Sequence, residues 1–207
     1  MDSCIAGFAD SSAWLMLVDV GQGAVRLGSF DYLFSFYGLL LGIAVANVAI
    51  GFADMWRDCE KIGVGTCPPL VASSVLLGGM NVWMQMWLAR PYATVNGIQM
   101  LAAAAISLPY VFVSRAIFPG QEDRPERSLE EHYLKHSKII LILLALPSAI
   151  SVISHVLLDH FRYRPWEIWW AAARVALPLV LLFFPERKAQ RAGLAALNLT
   201  QLIGLFR

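Results

Sequence analysis

Six apolar stretches, each about long enough to cross a lipid bilayer, follow one another from residue 30 to the end of the chain. A helix needs about 20 apolar residues to cross the hydrocarbon core, and within lipid only helices and closed barrels satisfy their own backbone hydrogen bonds. The sequence therefore predicts an all-α, polytopic membrane protein with six transmembrane helices, short connections and one longer charged loop. The predicted spans are residues 30–53, 68–89, 97–118, 139–160, 166–184 and 189–206.

The composition supports a membrane environment and argues against other classes. Hydrophobic residues make up 58% of the chain and charged residues 15%, which is more apolar and less charged than a soluble domain of this length. A net charge of +1 gives no basis for binding nucleic acid. Three cysteines, at positions 4, 59 and 67, are an odd number without zinc-type spacing, so no disulfide framework is expected.

The chain divides into an N-terminal segment, residues 1–28, and a transmembrane domain, residues 29–207. The first segment has no basic region before its apolar part, so it does not have the pattern of a cleaved signal peptide; it is expected to lie on the surface or to be disordered. Residues 119–138 form the long charged connection. Within it, Ser128 and Glu131 have the spacing of a capping box, which predicts that a helix starts there and continues into the fourth span.

The basic residues predict an orientation. Of the 16 Lys and Arg residues, ten fall in connections on one side of the predicted bundle and five on the other, while Arg174 lies inside a span. Because Lys and Arg are retained in the cytoplasm, the ten belong on the cytoplasmic side. The expected location is therefore the inner (plasma) membrane, as a multi-pass protein with both termini outside the cytoplasm.

Polar side chains inside the spans are concentrated toward the outer side. We expect a ligand-binding pocket there, formed by Arg174, Asp159, His155, Asn81 and Gln85. Gln201 and Asn198 of the last span are expected to face the same space. An arginine well inside a span costs about 2.5–3.5 kcal/mol and requires a partner or water.

Two interpretations of Arg174 follow. Either its guanidinium binds a small anion or polar solute in an outward-open cavity, or it forms a structural ion pair with Asp159 that locks the fourth and fifth spans together. The amides of Asn81 and Gln85 also have an ordinary structural interpretation, as hydrogen-bonding groups between helices.

Sequence signatures of catalysis and cofactor binding are absent. The chain contains no P-loop, no HExxH and no GxSxG pattern. Two histidines, 132 and 136, lie about 19 residues, or roughly 28 Å along one helix, from His155 and Asp159, so these pairs cannot share a metal ion. No cofactor, no metal site and no catalytic residue are expected, and an enzyme is the less favoured class.

A face of small residues on the first span predicts helix packing. Gly38, Gly42 and Ala46 are spaced by four, which allows a second helix to approach closely. Asn47 lies beside this face and is expected to hydrogen-bond to a neighbouring helix. The partner could belong to this chain, to a second copy in a homo-oligomer, or to another membrane protein.

These observations predict a non-enzymatic membrane protein whose transport role is that of a small channel, a carrier or a binding subunit for a small anion or polar solute. The alternative is a structural or regulatory membrane partner that acts through helix contacts, with the buried charges purely structural.

Overall fold

The computed structural model describes residues 29–58, 63–88, 90, 96–118, 128–158 and 165–206. Within these ranges the chain is helical, and strands are not found there. The six helices are α1 (Ser29–Asp58), α2 (Cys67–Leu88), α3 (Gly97–Ile117), α4 (Leu129–Leu158), α5 (Pro165–Leu181) and α6 (Arg187–Leu205). The segment 1–28 and most of the charged loop lie outside the described residues.

Each predicted span coincides with one helix, and the all-α prediction is confirmed for the described residues. Four helices, α1 to α4, are long and apolar enough to cross a membrane. The described apolar part of α5, Trp169–Leu181, is shorter, and α6 begins with a basic first two turns and carries Asn198 and Gln201. By length and composition, four of the six predicted spans are therefore able to cross a membrane.

The start of α4 follows the capping pattern. The helix begins at Leu129, directly after Ser128, whose Oγ accepts a hydrogen bond from the backbone N–H of Glu130 at 3.2 Å. This satisfies one of the N–H groups that every helix leaves unpaired at its start. The predicted helix start in this loop is confirmed, about ten residues before the predicted span.

Successive helices run in opposite directions and form a bundle with two ends. At one end, here called the Arg90 end, the start of α1 meets the end of α2: Phe30 lies 6.3 Å from the ring of Trp87, and the guanidinium of Arg90 lies over both rings. At the other, the Glu130 end, the starts of α2, α4 and α6 come together. Helix α2 packs against α1, α3, α4 and α6.

The interior of the bundle is apolar and its outer surface is apolar too. Core side chains such as Leu41, Val75 and Leu194 are buried between helices, while large hydrophobic residues remain exposed on the outside, including Leu39, Ile50, Leu101, Phe112, Ile142 and Leu199. A helix that is apolar on all sides is buried in a large core or faces lipid. Here the outer faces are suited to lipid.

Aromatic residues mark the two ends of α1. Phe30 packs on Trp87 at the Arg90 end, and Trp56 is exposed near the other end. These positions are 26 residues apart, about 39 Å along a helix, close to the roughly 40 Å of a bilayer with its headgroups. Exposed Trp83 and Trp169 lie toward the Arg90 end as well, as expected for residues at a membrane interface.

Helix α1 packs on α3, and one predicted contact is confirmed there. The side-chain Nδ2 of Asn47 donates a hydrogen bond to Ser114 Oγ of α3 at 3.2 Å. The small-residue face is a different surface: among the described residues, no atom comes within 4 Å of a Cβ built on Gly38 or Gly42. That face is not used for packing within the described part of this chain.

The Glu130 end holds an ion pair between the buried carboxylate of Glu130 and the partly exposed side chain of Arg191. Nη2 of Arg191 donates to both carboxylate oxygens of Glu130, at 2.8 and 3.1 Å, and the buried Cys67 thiol donates to the same carboxylate at 3.7 Å. A guanidinium is always protonated in proteins, so Arg191 carries its positive charge at any physiological pH. Glu130 therefore connects the first turns of α2, α4 and α6.

Gly65 is required for this arrangement. Its φ of +70° is in the left-handed region that favours glycine, and a Cβ at this position would overlap the side chain of Glu130. The turn before α2 can therefore lie directly against the carboxylate.

Gln190 connects α4, α5 and α6 at the same end. Its Oε1 accepts a hydrogen bond from Tyr133 at 2.7 Å, and its Nε2 donates to the carbonyls of Leu181 and Phe184 at 2.8 and 2.9 Å. The Leu181 carbonyl also accepts from the backbone N–H of Phe184 at 3.2 Å, so Gln190 adds a second donor there and supplies the donor to the Phe184 carbonyl.

Candidate functional site

A polar cleft lies among five helices in the half of the bundle toward the Arg90 end. Helices α2 to α6 all contribute to its lining, which consists of Gly78, Asn81, Val82, Gln85, Tyr110, Pro147, Ser148, Ser151, Val152, Ala171, Arg174 and Gln201. Most of these side chains carry a hydrogen-bonding group, although the surrounding core is apolar. Polar groups are therefore concentrated in one place inside the bundle.

Asn81 joins α2 to α6 at the cleft. It is buried, and its Nδ2 donates to the carbonyl of Leu77 at 2.8 Å and to the backbone carbonyl of Gln201 at 2.9 Å. With both of its N–H donors used in this way, the orientation of the amide is fixed. Its Oδ1 atom then points toward Gly204, one turn beyond Gln201.

Gln85 and Ser151 join α2 to α4. Ser151 Oγ donates to Gln85 Oε1 at 3.3 Å, and both side chains are only partly buried. One face of α4 carries all four of its lining residues, because 147 and 148 lie three to five positions before 151 and 152. Pro147 and two serines are therefore presented together to the cleft.

Arg174 brings a positive charge into the cleft from α5. Its side chain is partly buried, and Nη1 lies 4.0 Å from the point where a Cβ on Gly204 would be placed. The same point is 2.8 Å from Asn81 Oδ1. The absence of a side chain at Gly204 therefore leaves space between the guanidinium and the amide.

The size of the cleft limits what it can hold. Its empty space is about 410 Å³ including the open mouth, and only about 20 Å³ can hold the centre of a water molecule. A single water requires at least about 10–15 Å³ by this measure. The enclosed part is suited to one or two waters or to an ion of a few atoms.

The structure brings together three of the five predicted site residues. Asn81, Gln85 and Arg174 line the same cleft. Asp159 lies outside the described residues, and His155 is described only as part of the backbone of α4, so their predicted roles remain predictions.

Of the two residues expected to face the same space, Gln201 lines the cleft. Asn198 does not. It lies nearly one turn earlier on α6 and donates to the carbonyl of Leu70 at 2.9 Å, and its Oδ1 accepts from Ser74. One turn of helix is enough to move an amide from the cleft to an interhelical contact.

Tyr110, Ser148 and Ser151 were not predicted. Tyr110 reaches the cleft because α3 approaches α2 closely at Gly78, and such a contact leaves no signal in a single sequence. The i, i+3 spacing of the two serines next to Pro147 was a usable signal for a polar face on the fourth span.

Metal ligation is not indicated within the described residues, where no group of three or more His, Cys, Asp or Glu side chains could hold an ion. Comparison with known proteins adds no assignment: no protein-family model, no curated protein and no solved structure matches the chain. The function must therefore be argued from the cleft.

Proposed function

We propose that this protein binds a small anion or polar solute in the cleft, as a small channel, a carrier or the binding subunit of one. The observation that carries the proposal is the convergence of a guanidinium, three carboxamides and several hydroxyl groups, from five helices, on one open cleft inside an apolar bundle. Polar and ionisable groups are expensive inside a membrane and are usually found beside a pathway or a binding site.

The chemistry of the lining favours an anion. Arg174 supplies N–H donors with a permanent positive charge, and Tyr110 and Ser148 carry hydroxyl donors. Charge-assisted hydrogen bonds to a guanidinium are roughly twice as strong as neutral ones. Surrounding apolar side chains lower the local dielectric, which strengthens the attraction further.

The proposal includes six membrane crossings in an inner membrane. Helix α6 is too polar to face lipid on its own, but Gln190, Leu194, Leu197 and Gln201 are buried against the other helices. Shielding of this kind permits a polar helix to cross a bilayer. Helix α5 packs between α4 and α6 and would complete the bundle around the cleft.

The test is anion binding by the purified protein in detergent, measured as the rise in melting temperature with added sodium salts of small anions. At 100 times the Kd, a ligand adds about 2.7 kcal/mol of stability, which raises Tm by several degrees. Arg174→Gln should abolish the response. Arg115→Gln, which alters an exposed arginine of α3 away from the cleft, should retain it.

No saturable rise with any small anion, or an equal rise in Arg174→Gln, would contradict the proposal. Flux of the bound anion from proteoliposomes would then distinguish a channel or carrier, which releases it, from a binding subunit, which does not.

A second candidate function is supported by a separate observation, the open small-residue face at Gly38 and Gly42. In this alternative the protein is a structural or regulatory partner, or a homo-oligomer, that packs through α1. Gly42→Ile should then convert a detergent-solubilised assembly to monomer, with Leu39→Ile on the same helix as the control. A monomeric wild-type protein with unchanged mass in Gly42→Ile would exclude self-association through this face.

A further inference from the structure

Gln201 contributes to the cleft a buried acceptor that no described residue satisfies. Its side chain is 5% exposed, and its Oε1 has no hydrogen-bond partner among the described residues. Leaving a buried acceptor unsatisfied costs about 1–3 kcal/mol, and such groups require an explanation when they occur.

Gln201 is set apart from other buried acceptors by its position. Gln99 Oε1 and Ser107 Oγ also lack partners within the described ranges, but neither residue lines the cleft. Gln201 does, and its backbone carbonyl is held by Asn81 at 2.9 Å. The unsatisfied oxygen therefore belongs to a residue whose backbone is fixed.

Gln201 and the cation of Arg174 line the same cleft. Gly204 follows Gln201 by three positions and therefore lies on the same face of α6, one turn on. Arg174 Nη1 is 4.0 Å from the Cβ position of Gly204. A ligand of a few atoms can consequently contact the guanidinium at one end and Gln201 at the other.

We propose that the ligand is a small oxyanion that retains one proton, of which bicarbonate is the simplest example. This inference rests on the proposed anion-binding function. The charged oxygens accept hydrogen bonds from Arg174, and the O–H donates to Gln201 Oε1. An anion without a proton still accepts hydrogen bonds from Arg174 but offers no donor to Gln201 Oε1, and this difference is the basis of selectivity.

Bicarbonate and nitrate form a matched pair of probes. Both are planar, singly charged ions with three oxygens, and they differ chiefly in the hydroxyl group. The experiment titrates each sodium salt into the purified full-length protein at pH 8 and constant ionic strength, with Kd measured by calorimetry. In wild type, bicarbonate should bind about tenfold more tightly than nitrate, since one hydrogen bond that rescues a buried acceptor is worth roughly that ratio.

Single substitutions test the contacts of the ligand with Arg174 and with Gln201 separately. Gln201→Met keeps the side-chain length and removes the acceptor, so it should weaken bicarbonate about tenfold and change nitrate less than twofold. Arg174→Gln should weaken both ions. Gln99→Met removes a partnerless acceptor that lies away from the cleft, and should leave both affinities unchanged.

Each outcome has a defined meaning. Equal affinity for both ions in wild type, which requires no variant, would overturn the inference and leave anion binding intact. Equal weakening of both ions by Gln201→Met would show that Gln201 only shapes the cleft, and would also overturn it. Failure of either ion to bind the wild-type protein would overturn this inference together with the proposed function.

Discussion

The ring of Tyr110 on α3 lies directly against the backbone of Gly78 on α2, so that a Cβ on Gly78 would be 2.8 Å from Tyr110 Cε1 and 2.9 Å from its hydroxyl oxygen. This is closer than a real Cβ approaches other atoms. The contact positions Tyr110 as one wall of the cleft and sets the distance between the two helices.

Gly78→Ala should therefore destabilise the protein, by about 1–3 kcal/mol, because the tyrosine or the helix must move to admit the methyl group. The adjacent Gly79→Ala is the matched control. Its Cβ would meet only Leu41 Cδ2 at 3.5 Å, an ordinary contact, and replacing glycine within a helix gains about 0.5–1 kcal/mol. Denaturant unfolding in mixed micelles measures both, and equal effects of the two variants would contradict the close approach.

Glu130 should contribute more to the stability of the protein than the neighbouring Glu131. Glu130→Gln removes the charge that Arg191 contacts at 2.8 Å within a largely buried site, and we expect the melting temperature to fall by roughly 3–10 °C. In Glu131→Gln, the lost partner is Arg187 at 3.9 Å with both side chains 57% exposed. Exposed pairs contribute little, so this control should melt within about 1 °C of wild type. An equal fall in melting temperature in both variants would show that removing a negative charge, and not breaking the contact with Arg191, lowers the stability.

Gln190 should tolerate substitution poorly. Gln190→Leu removes the acceptor of the buried Tyr133 hydroxyl and one donor each to the carbonyls of Leu181 and Phe184, of which Leu181 keeps its bond from the Phe184 N–H, and we expect a loss of about 2–3 kcal/mol. Tyr133→Phe removes only one of the three hydrogen bonds and should cost about 1 kcal/mol. Chemical denaturation of the two variants and wild type in the same detergent makes the comparison, and a Gln190→Leu protein as stable as Tyr133→Phe would disprove the connecting role.

The orientation predicted by the basic residues can be tested by cysteine labelling. In a background with Cys4, Cys59 and Cys67 replaced by alanine, single cysteines at the exposed positions Lys135 and Arg90 report on the two ends of the bundle. An impermeant maleimide added to intact cells should label Arg90→Cys and should label Lys135→Cys only after permeabilisation. The reverse pattern would invert the predicted topology.

The sequence was sufficient to locate the helices because each is a long apolar run with polar ends, a signal contained in neighbouring residues. The start of α4 at Leu129 and the hydrogen bond of Asn47 to α3 were predictable for the same reason. A capping pattern and a polar residue on an apolar helix are both local features.

Contacts between distant parts of the chain were not predictable. Arg191 and Glu130 are 61 residues apart in the sequence, yet their side chains form the ion pair at the Glu130 end. Asn198 and Gln201 were assigned to one space, but they lie about 4.5 Å apart along the axis of α6, and only Gln201 lines the cleft. The pairing of helices decides such contacts, and a single sequence does not contain it.

The hydrogen bonds of Gln190 affect how α5 and α6 could be inserted into the membrane. Helix α5 is short and α6 is polar, so neither is well suited to leave the translocon alone and enter lipid. Because Gln190 donates to the carbonyls of Leu181 and Phe184 in the turn after α5, the proposed six-span topology allows the two helices to be integrated as a preformed hairpin. The first four helices would then provide the surface against which this hairpin docks, which makes the cleft the last part of the molecule to form during biogenesis.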